Sequence, residues 1–398
     1  MGSEAVLARN DLLLLALARD GRLLSPRPFD AFRERLPSAT DCFVFCHGWL
    51  NDQTEAREGA QRFFGHLDAA IRPLGERVVP LRVAVHWPSK PFANGQPDRG
   101  ASRVTPSLEL LSSLGELVRR QPELLERLIP PLCEVEVPLG PEEELELDAL
   151  VRHARRSGVR GGVSLSLLDA LSFWFMKRRA GQVGERLGRE LLAPAFDELS
   201  GGAPRLHLIG HSFGAKLVSS AVLGGLRPES LVLLLAAFSA YAFAEEVPNS
   251  KRPGFYRRVI TERMVADRIV ALRSDHDRAL NTLYRAVTWG DHLDRATPHR
   301  GRLAQVRELV ASSAMGAVGA LGAGAVEVNL VDVQKTGLPR GVVTVDGSTV
   351  VAREEWLIGA HRDIYHGEIA TLVLLAAGLL AGGPAGPRPR PVSAFAHS

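Results

Sequence analysis

Ser212 is the side chain whose sequence setting most clearly indicates chemistry. It lies in Gly210-His211-Ser212-Phe213-Gly214, between the apolar run LHLI at 206–209 and an apolar helical pattern. A serine on a sharp turn from a strand into a helix exposes its hydroxyl above the helix N-terminus, where N–H groups stabilise an anion. Glycines two residues before and after such a turn let the strand and the helix approach it. The pattern predicts a nucleophilic serine, and the alternative is an ordinary helix-capping serine.

Three other segments carry residue types that could work with this serine. They are FVFCHGW at 43–49, with a His-Gly-Trp loop, RIVALRSDHDRAL at 268–280, with acids after an apolar run, and WLIGAHRDIYHG at 356–367, with late histidines. Together with the G-x-S-x-G pattern, these segments resemble the α/β-hydrolase superfamily, specifically its serine esterase- and lipase-like branch. The resemblance covers residues 41–381 and implies an α/β fold with a mostly parallel, doubly wound sheet.

The resemblance implies an oxyanion hole formed by two backbone N–H groups, those of Trp49 and Phe213. Two preorganised donors aimed at the oxygen of a tetrahedral intermediate are worth about 3 kcal/mol each in catalysis. We expect the side chain of His47 to hold the loop rather than to carry a proton.

The resemblance also implies that the acid and the base of a triad come from the two late segments. Asp275 and Asp277 compete for the acid, and Asp277 is preferred because it opens a helical pattern after the strand, as in the superfamily. Either aspartate could instead be a helix N-cap. His361 and His366 compete for the base, and His361 is preferred because it follows a Gly-Ala turn directly and precedes the terminal helix.

These residues predict a serine hydrolase that cleaves a carboxylic ester through an acyl-enzyme intermediate. The predicted triad, in the Ser, acid, His order of the superfamily, is Ser212, Asp277, His361. The expected substrate is a small-molecule or lipid-like acyl ester, and neither a cofactor nor a metal ion is expected. The alternatives are a thioesterase or acyltransferase with the same triad, and a non-catalytic binding module that keeps the fold.

Short apolar or β-branched runs predict the elements that must position these side chains. Because runs buried on both faces alternate with helical patterns, they predict a largely parallel sheet covered by helices. The predicted strands are 41–46, 78–87, 206–209, 231–237, 268–272 and 326–333. The apolar LLLLALA at 12–18 is expected to be a first core element rather than a signal peptide, because Glu4 and Asp11 flank a single Arg9.

The predicted organisation is one α/β core with two additions. The core occupies 1–90 and 169–383, residues 91–168 form a helical insertion or cap without a core-strand pattern, and the proline-rich residues 384–398 form a disordered tail. Within the core, GVVTVDGSTVV at 341–351 contains an Asp-Gly turn and predicts a hairpin.

A glycine-rich stretch at 311–325 could suggest a dinucleotide-binding loop. Such a loop must follow a strand and open a helix, but these glycines precede the predicted strand at 326–333. They are expected instead to let a helix pack closely.

The composition argues against several classes of function. The 398 residues carry 48 basic and 45 acidic side chains, and without a Lys/Arg block this balance argues against nucleic-acid binding. The apolar stretch 369–383 is too short and too glycine-rich for a transmembrane segment.

Three cysteines cannot form a closed set of disulfides, and Cys42 and Cys46 share one apolar run, so buried free thiols and a reducing, cytoplasmic location are expected. The sequence leaves the oligomeric state open.

Overall fold

The structure is a computed structural model, and it describes residues 12–90, 176–199, 202–248, 252–284, 313–353, 355 and 358–380. The predicted cap at 91–168 and the predicted tail at 384–398 lie outside the described residues. The described residues belong to the predicted core, in ranges that precede and follow the predicted cap.

Within the described residues, eight parallel strands form one sheet, which places the fold in the α/β class. The strands are β1 (Leu12–Ala16), β2 (Asp41–Cys46), β3 (Pro80–His86), β4 (Arg205–His211), β5 (Ser230–Leu234), β6 (Arg268–Arg273), β7 (Val326–Asn329) and β8 (Gly341–Asp346). Their order across the sheet is β1-β3-β2-β4-β5-β6-β8-β7. In its middle, Val44 of β2 lies between Val83 of β3 and Leu208 of β4.

Apolar sequence explains why the central strands lie inside the protein. β2 (DCFVFC) and β5 (SLVLL) are buried along their whole length, as expected for strands covered on both faces. Cys42 and Cys46 of β2 are buried free cysteines, as predicted. The first core element predicted at 12–18 is confirmed as β1, whose three middle leucines are buried.

Helices pack against the sheet and against each other. They are α1 (Arg27–Arg35), α2 (Gln53–Ile71), α3 (residues 176–186, continued by a π-helical turn at Leu187–Leu192 and by Ala193–Asp197), α4 (Phe213–Leu223), α5 (Arg257–Thr261), α6 (Met315–Val318), α7 (Leu330–Thr336) and α8 (Gly367–Ala376). α8 contacts α2 and α7, whereas α4 contacts α3 and α5, so these helices form two groups. Among the helices that the structure describes, none has both the length and the apolar character required to span a bilayer.

The start of α2 is fixed by its sequence. The carboxylate of Asp52 accepts the N–H groups of Thr54 and Glu55, and the side chain of Glu55 accepts the N–H of Asp52. This reciprocal capping box satisfies N–H groups that have no acceptor within the helix. It fixes the point at which the loop after β2 enters α2.

The strand predicted at 326–333 is shorter than expected. β7 ends at Asn329, because the side chain of Asn329 accepts the N–H of Val331 and so caps α7. β7 is also an edge strand rather than a buried one, and 48% of Val326 is exposed.

The hairpin predicted at 341–351 is wrong. Gly341–Asp346 is β8, which pairs in parallel with β6 on one side and with β7 on the other. The Asp-Gly sequence does form a turn, in which the carboxylate of Asp346 accepts the N–H and the hydroxyl of Ser348. That turn ends a strand of the parallel sheet instead of joining two antiparallel strands.

In the glycine-rich stretch before β7, the predicted close packing of a helix is found at Gly316, whereas Gly319, Gly322 and Gly324 follow the helix with positive φ. The stretch includes the short helix α6, and a Cβ at Gly316 would lie 2.3 Å from the carbonyl carbon of Leu235. A glycine is required there because the backbone after β5 leaves no room for a side chain.

Candidate active site

The turn between β4 and α4 holds Ser212 in a strained backbone conformation. Its φ is 57° and its ψ is −120°, in a region that residues other than glycine rarely occupy, at a cost of about 1–3 kcal/mol. The N–H of Ser212 donates to the carbonyl of Leu234 at 3.0 Å. Its own carbonyl accepts the N–H groups of Ala215 and Ala237 at 3.1 and 3.3 Å. The turn therefore fixes the serine at the carboxyl edge of the sheet, at the start of α4.

Two glycines of the predicted motif are required by close backbone contacts. A Cβ at Gly210 would lie 2.4 Å from the Cα of Ala215, and a Cβ at Gly214 would lie 2.3 Å from the carbonyl oxygen of Cys46. Any side chain at either position would push β4, α4 and β2 apart. The packing around Ser212 thus explains the G-x-S-x-G pattern.

His361 links Ser212 to Asp277 through both of its ring nitrogens. Its Nε2 lies 2.9 Å from Oγ of Ser212, and its Nδ1 lies 2.6 Å from Oδ2 of Asp277. Because a carboxylate accepts hydrogen bonds, we assign the proton to Nδ1, which leaves Nε2 to accept the serine hydroxyl. The structure thus brings together the three side chains predicted as nucleophile, base and acid.

Asp277 is held by a helix start as well as by His361. It is fully buried, and its Oδ1 accepts the N–H of Leu280 at 2.9 Å, at the start of the π-helical turn Ala279–Tyr284. The turn that carries His361 is tied to the same loop, since the N–H of Ala360 donates to the carbonyl of His276 at 2.9 Å. The two interpretations of Asp277, as the partner of a histidine and as a helix cap, therefore apply together.

The competing candidates Asp275 and His366 lie in other contacts. The carboxylate of Asp275 is exposed and pairs with Arg273 at 2.7 Å. His366 is the N-cap residue of α8, and its Nε2 lies 2.8 Å from Oδ1 of Asp363. In the ranges that the structure describes, no group of three or more His, Cys, Asp and Glu side chains could hold a metal ion.

The loop after β2 is held by His47 in one tautomer. Its Nδ1–H donates to the carbonyl of Gly48 at 2.8 Å, and its Nε2 accepts the N–H of Trp87 at 3.3 Å. The indole N–H of Trp87 donates back to the carbonyl of His47 at 3.0 Å. Burial, and to a smaller extent the neighbouring His86, lower the pKa of His47 to about 3. His47 is thus neutral and bonded on both ring nitrogens, which suits a residue that holds the loop.

This loop lies directly against Ser212. A Cβ at Gly48 would lie 2.8 Å from the Cβ of Ser212, and the rings of Trp49 and Phe213 are 5.9 Å apart. The side-chain amide of Asn51 donates to the carbonyls of Gly48 and Trp49 at 3.2 and 3.0 Å. Phe213 is the first residue of α4, where N–H groups point out of the helix end. The two predicted backbone donors therefore belong to segments that both adjoin the serine.

His211 is a residue of this site that the sequence did not single out. Its buried ring lies 5.1 Å from the ring of His361, and its Nε2–H donates to the main-chain carbonyl of His361 at 2.7 Å. The one sequence feature that could have pointed to His211 is its position directly before Ser212. Its hydrogen-bond partner, His361, lies 150 residues away along the chain.

A second hydrogen-bonded set of the same residue types lies at the amino edge of the sheet. His207 of β4 has its Nδ1 2.9 Å from Oγ of Ser230 and its Nε2 3.0 Å from Oδ1 of Asp41. All three residues are fully buried, and Arg205 also contacts Oδ1 of Asp41, at 2.8 Å. We refer to Ser230, His207 and Asp41 as the amino-edge set, and to Ser212, His361 and Asp277 as the carboxyl-edge set.

The carboxyl-edge set is suited to nucleophilic attack, because a base contacts the serine hydroxyl and a carboxylate orients that base.

Comparisons of the chain with protein-family models, with curated proteins and with solved structures found no match.

Proposed function

We propose that the protein is a serine hydrolase of the α/β-hydrolase type that cleaves a carboxylic ester. One observation carries the proposal: Ser212, on a strained strand-to-helix turn, is hydrogen-bonded to His361, which is hydrogen-bonded to the buried Asp277. The all-parallel sheet and the two groups of helices support a doubly wound core of this type, to which residues 91–168 would add a cap.

In the proposed acylation, Oγ of Ser212 attacks the ester carbonyl carbon while Nε2 of His361 takes the hydroxyl proton. Asp277 keeps His361 in the required tautomer and stabilises the imidazolium that forms. The imidazolium then protonates the leaving oxygen, the C–O bond to the alcohol breaks, and an acyl-serine remains.

Deacylation repeats these steps with water as the nucleophile. His361 takes a proton from the water as its oxygen attacks the acyl carbon. The bond between the acyl group and Oγ then breaks, Oγ recovers the proton from His361, and the carboxylic acid leaves. The serine and the neutral histidine are restored.

The backbone N–H groups of Trp49 and Phe213 stabilise the oxyanion of the tetrahedral intermediates in this proposal. Hydrogen bonds of His47 and Asn51 to main-chain groups hold the loop that carries the first donor. Fixed donors of this kind contribute about 3 kcal/mol each, because they do not have to reorient as charge develops.

The proposed substrate is a small-molecule or lipid-like acyl ester. Support comes from the partly exposed indole of Trp49, which packs against the buried Phe213 beside the serine and offers apolar surface to an acyl group. The proposed location is a reducing, cytoplasmic one. It is supported by Cys42 and Cys46, which are both free cysteines.

Turnover of p-nitrophenyl esters of increasing acyl length tests the proposal, with acyl-thioesters measured in parallel. We expect the wild-type protein to hydrolyse esters and the Ser212→Ala variant to lose about 10⁴- to 10⁶-fold of this activity. Ser230→Ala is the matched control, because it removes the other serine that is hydrogen-bonded to a histidine, and turnover should be unchanged.

Two outcomes would contradict the proposal in different ways. Folded wild-type protein that hydrolyses neither class would favour a binding module over an enzyme. Hydrolysis of thioesters alone would keep the triad and replace the alcohol leaving group with a thiol.

A further inference from the structure

His211 occupies the last position of β4, directly before the proposed nucleophile. Only 8% of the residue is exposed, and its Nε2–H donates to the main-chain carbonyl of His361 at 2.7 Å. The ring also borders the loop after β2, since a Cβ at Gly48 would lie 3.2 Å from Nδ1 of His211. The imidazole therefore lies between that loop and the turn that carries His361.

The turn that carries His361 is tied to two parts of the site. On the acid side, the N–H of Ala360 donates to the carbonyl of His276 at 2.9 Å, which fixes the turn relative to the loop after β6. That bond does not fix the turn relative to Ser212, which lies between β4 and α4. The hydrogen bond from His211 ties the turn to the residue next to the serine.

We propose that His211 is a positioning residue that sets the distance between Ser212 and His361, an inference that rests on the proposed function. Its imidazole acts through the main-chain carbonyl of His361 and takes no part in proton transfer. A displacement of about 1 Å between reacting groups can cost about 100-fold in rate, so one buried hydrogen bond at this position matters to the reaction.

The charge of His211 suits this role. Burial, and to a smaller extent the neighbouring His361, lower the pKa of His211 to about 3. The hydrogen bond to the carbonyl of His361 raises this pKa but only partly offsets the lowering. Arg362 and His47 also disfavour protonation of this ring. The ring stays neutral near neutral pH, so it does not repel the imidazolium that forms on His361.

Two substitutions at His211 separate the N–H donor from the ring. His211→Phe keeps a planar ring without a donor, and His211→Gln places an amide N–H near the position of Nε2. We expect labelling of Ser212 by a fluorophosphonate probe to slow about 10- to 100-fold in the Phe variant and to recover most of that loss in the Gln variant.

His207→Gln is the control for a purely structural effect. His207 is also a buried histidine of β4 with both ring nitrogens bonded, but it belongs to the amino-edge set. This variant should lower the unfolding midpoint without slowing the labelling of the folded protein.

¹⁵N and ¹H NMR of His361 give a readout that needs neither turnover nor labelling. In the Phe variant we expect the Nε2 resonance to move toward its position in the Ser212→Ala protein, because the contact with the serine is lost. The downfield Nδ1–H resonance should persist, because the bond to Asp277 remains.

Three results would overturn the inference: a Phe variant that labels at the wild-type rate, a folded Gln variant as slow as the Phe variant, or an unchanged Nε2 resonance. Wild-type protein that does not label would contradict the proposed function instead. The NMR comparison would then still decide whether His211 positions His361.

Discussion

The amino-edge set and the carboxyl-edge set contain the same three residue types in the same hydrogen-bonded order, at opposite edges of one sheet. In both, a histidine joins a serine hydroxyl to an aspartate carboxylate, with nitrogen–oxygen distances between 2.6 and 3.0 Å. The hydrogen-bonded chain alone therefore does not distinguish a reactive serine from a structural one.

The two sets differ in the backbone conformation of the serine and in the exposure of the histidine. Ser230 is a regular strand residue that pairs in register with His207, whereas Ser212 has a φ of 57° and stands directly before α4. The amino-edge set is fully buried, whereas the side chain of His361 keeps 15% of its surface exposed. The carboxyl-edge set thus adds a partly exposed histidine, a strained turn and a helix N-terminus to the same three residue types.

The amino-edge set is arranged to hold a buried charge. Burial alone would raise the pKa of Asp41, but hydrogen bonds from His207 and Thr40 and the charge of Arg205 keep that pKa below its usual range. The ionised carboxylate links β2 to β4, and His207 extends the link to Ser230 of β5. Its contacts therefore join three strands of the sheet.

Replacement of the two aspartates should separate the two sets most strongly. Asp277→Asn favours the wrong tautomer of His361, so we expect ester turnover to fall about 10⁴-fold. Asp41→Asn should leave turnover per folded molecule unchanged and lower the free energy of unfolding by about 1.5–3 kcal/mol, because hydrogen bonds from His207 and Thr40 and an ion pair with the partly exposed Arg205 lose their charged acceptor. Steady-state kinetics and urea unfolding of both variants measure these effects. A similar loss of turnover in both variants would show that the two sets do not differ as proposed.

Gly48→Ala should disturb the carboxyl-edge set from the side of the loop. The added Cβ would lie 2.8 Å from the Cβ of Ser212, so the loop or the serine must move. We therefore expect kcat/KM to fall about 10- to 100-fold. Gly65→Ala in α2 is the matched control, since nothing lies within 4 Å of its added Cβ. It should keep turnover and raise the free energy of unfolding by about 0.5–1 kcal/mol. Wild-type kinetics in Gly48→Ala would show that the loop does not constrain the serine.

Stability at acid pH should depend on histidines at both edges. Burial lowers the pKa of His47 and His211 to about 3 at the carboxyl edge, and it also lowers the pKa of His207 at the amino edge. In the unfolded chain these histidines bind protons below a pKa of about 6.5, whereas the folded protein keeps them neutral. Unfolding therefore takes up protons, and the free energy of unfolding should fall as the pH decreases from about 6.5 toward 3.

The contribution of one histidine to this dependence can be isolated. His207→Gln should remove up to one proton, or about 1.4 kcal/mol per pH unit, from the slope of unfolding free energy against pH. Urea unfolding at several pH values below neutrality measures that slope. An unchanged slope would mean that His207 is not kept neutral by burial.

The neighbourhood of Ser212 could be predicted because its signal is local. Gly210 is dictated by a contact with Ala215 within the turn and Gly214 by the close approach of β2 at Cys46, and both glycines fall within one five-residue pattern of the sequence. The preference for Asp277 over Asp275 also had a local basis, since Asp277 begins a helical turn that its carboxylate caps.

Contacts between distant segments account for what could not be predicted. The Asp-Gly turn after β8 has the same local sequence whether the chain returns as a hairpin or ends a parallel strand, and its partner Arg273 lies 73 residues away. His211 meets His361 across 150 residues, and His207 meets Asp41 across 166. No local pattern encodes such pairings, so the positioning histidine and the amino-edge set emerge only from the fold.

The site at which a fluorophosphonate probe attaches to the native protein tests the central claim most directly. Mass spectrometry of peptides from the labelled protein should locate the adduct on Ser212, and labelling should disappear in Ser212→Ala but persist in Ser230→Ala. An adduct on Ser230, labelling that survives in Ser212→Ala, or no labelling of the folded wild-type protein would contradict the assignment of Ser212 as the nucleophile.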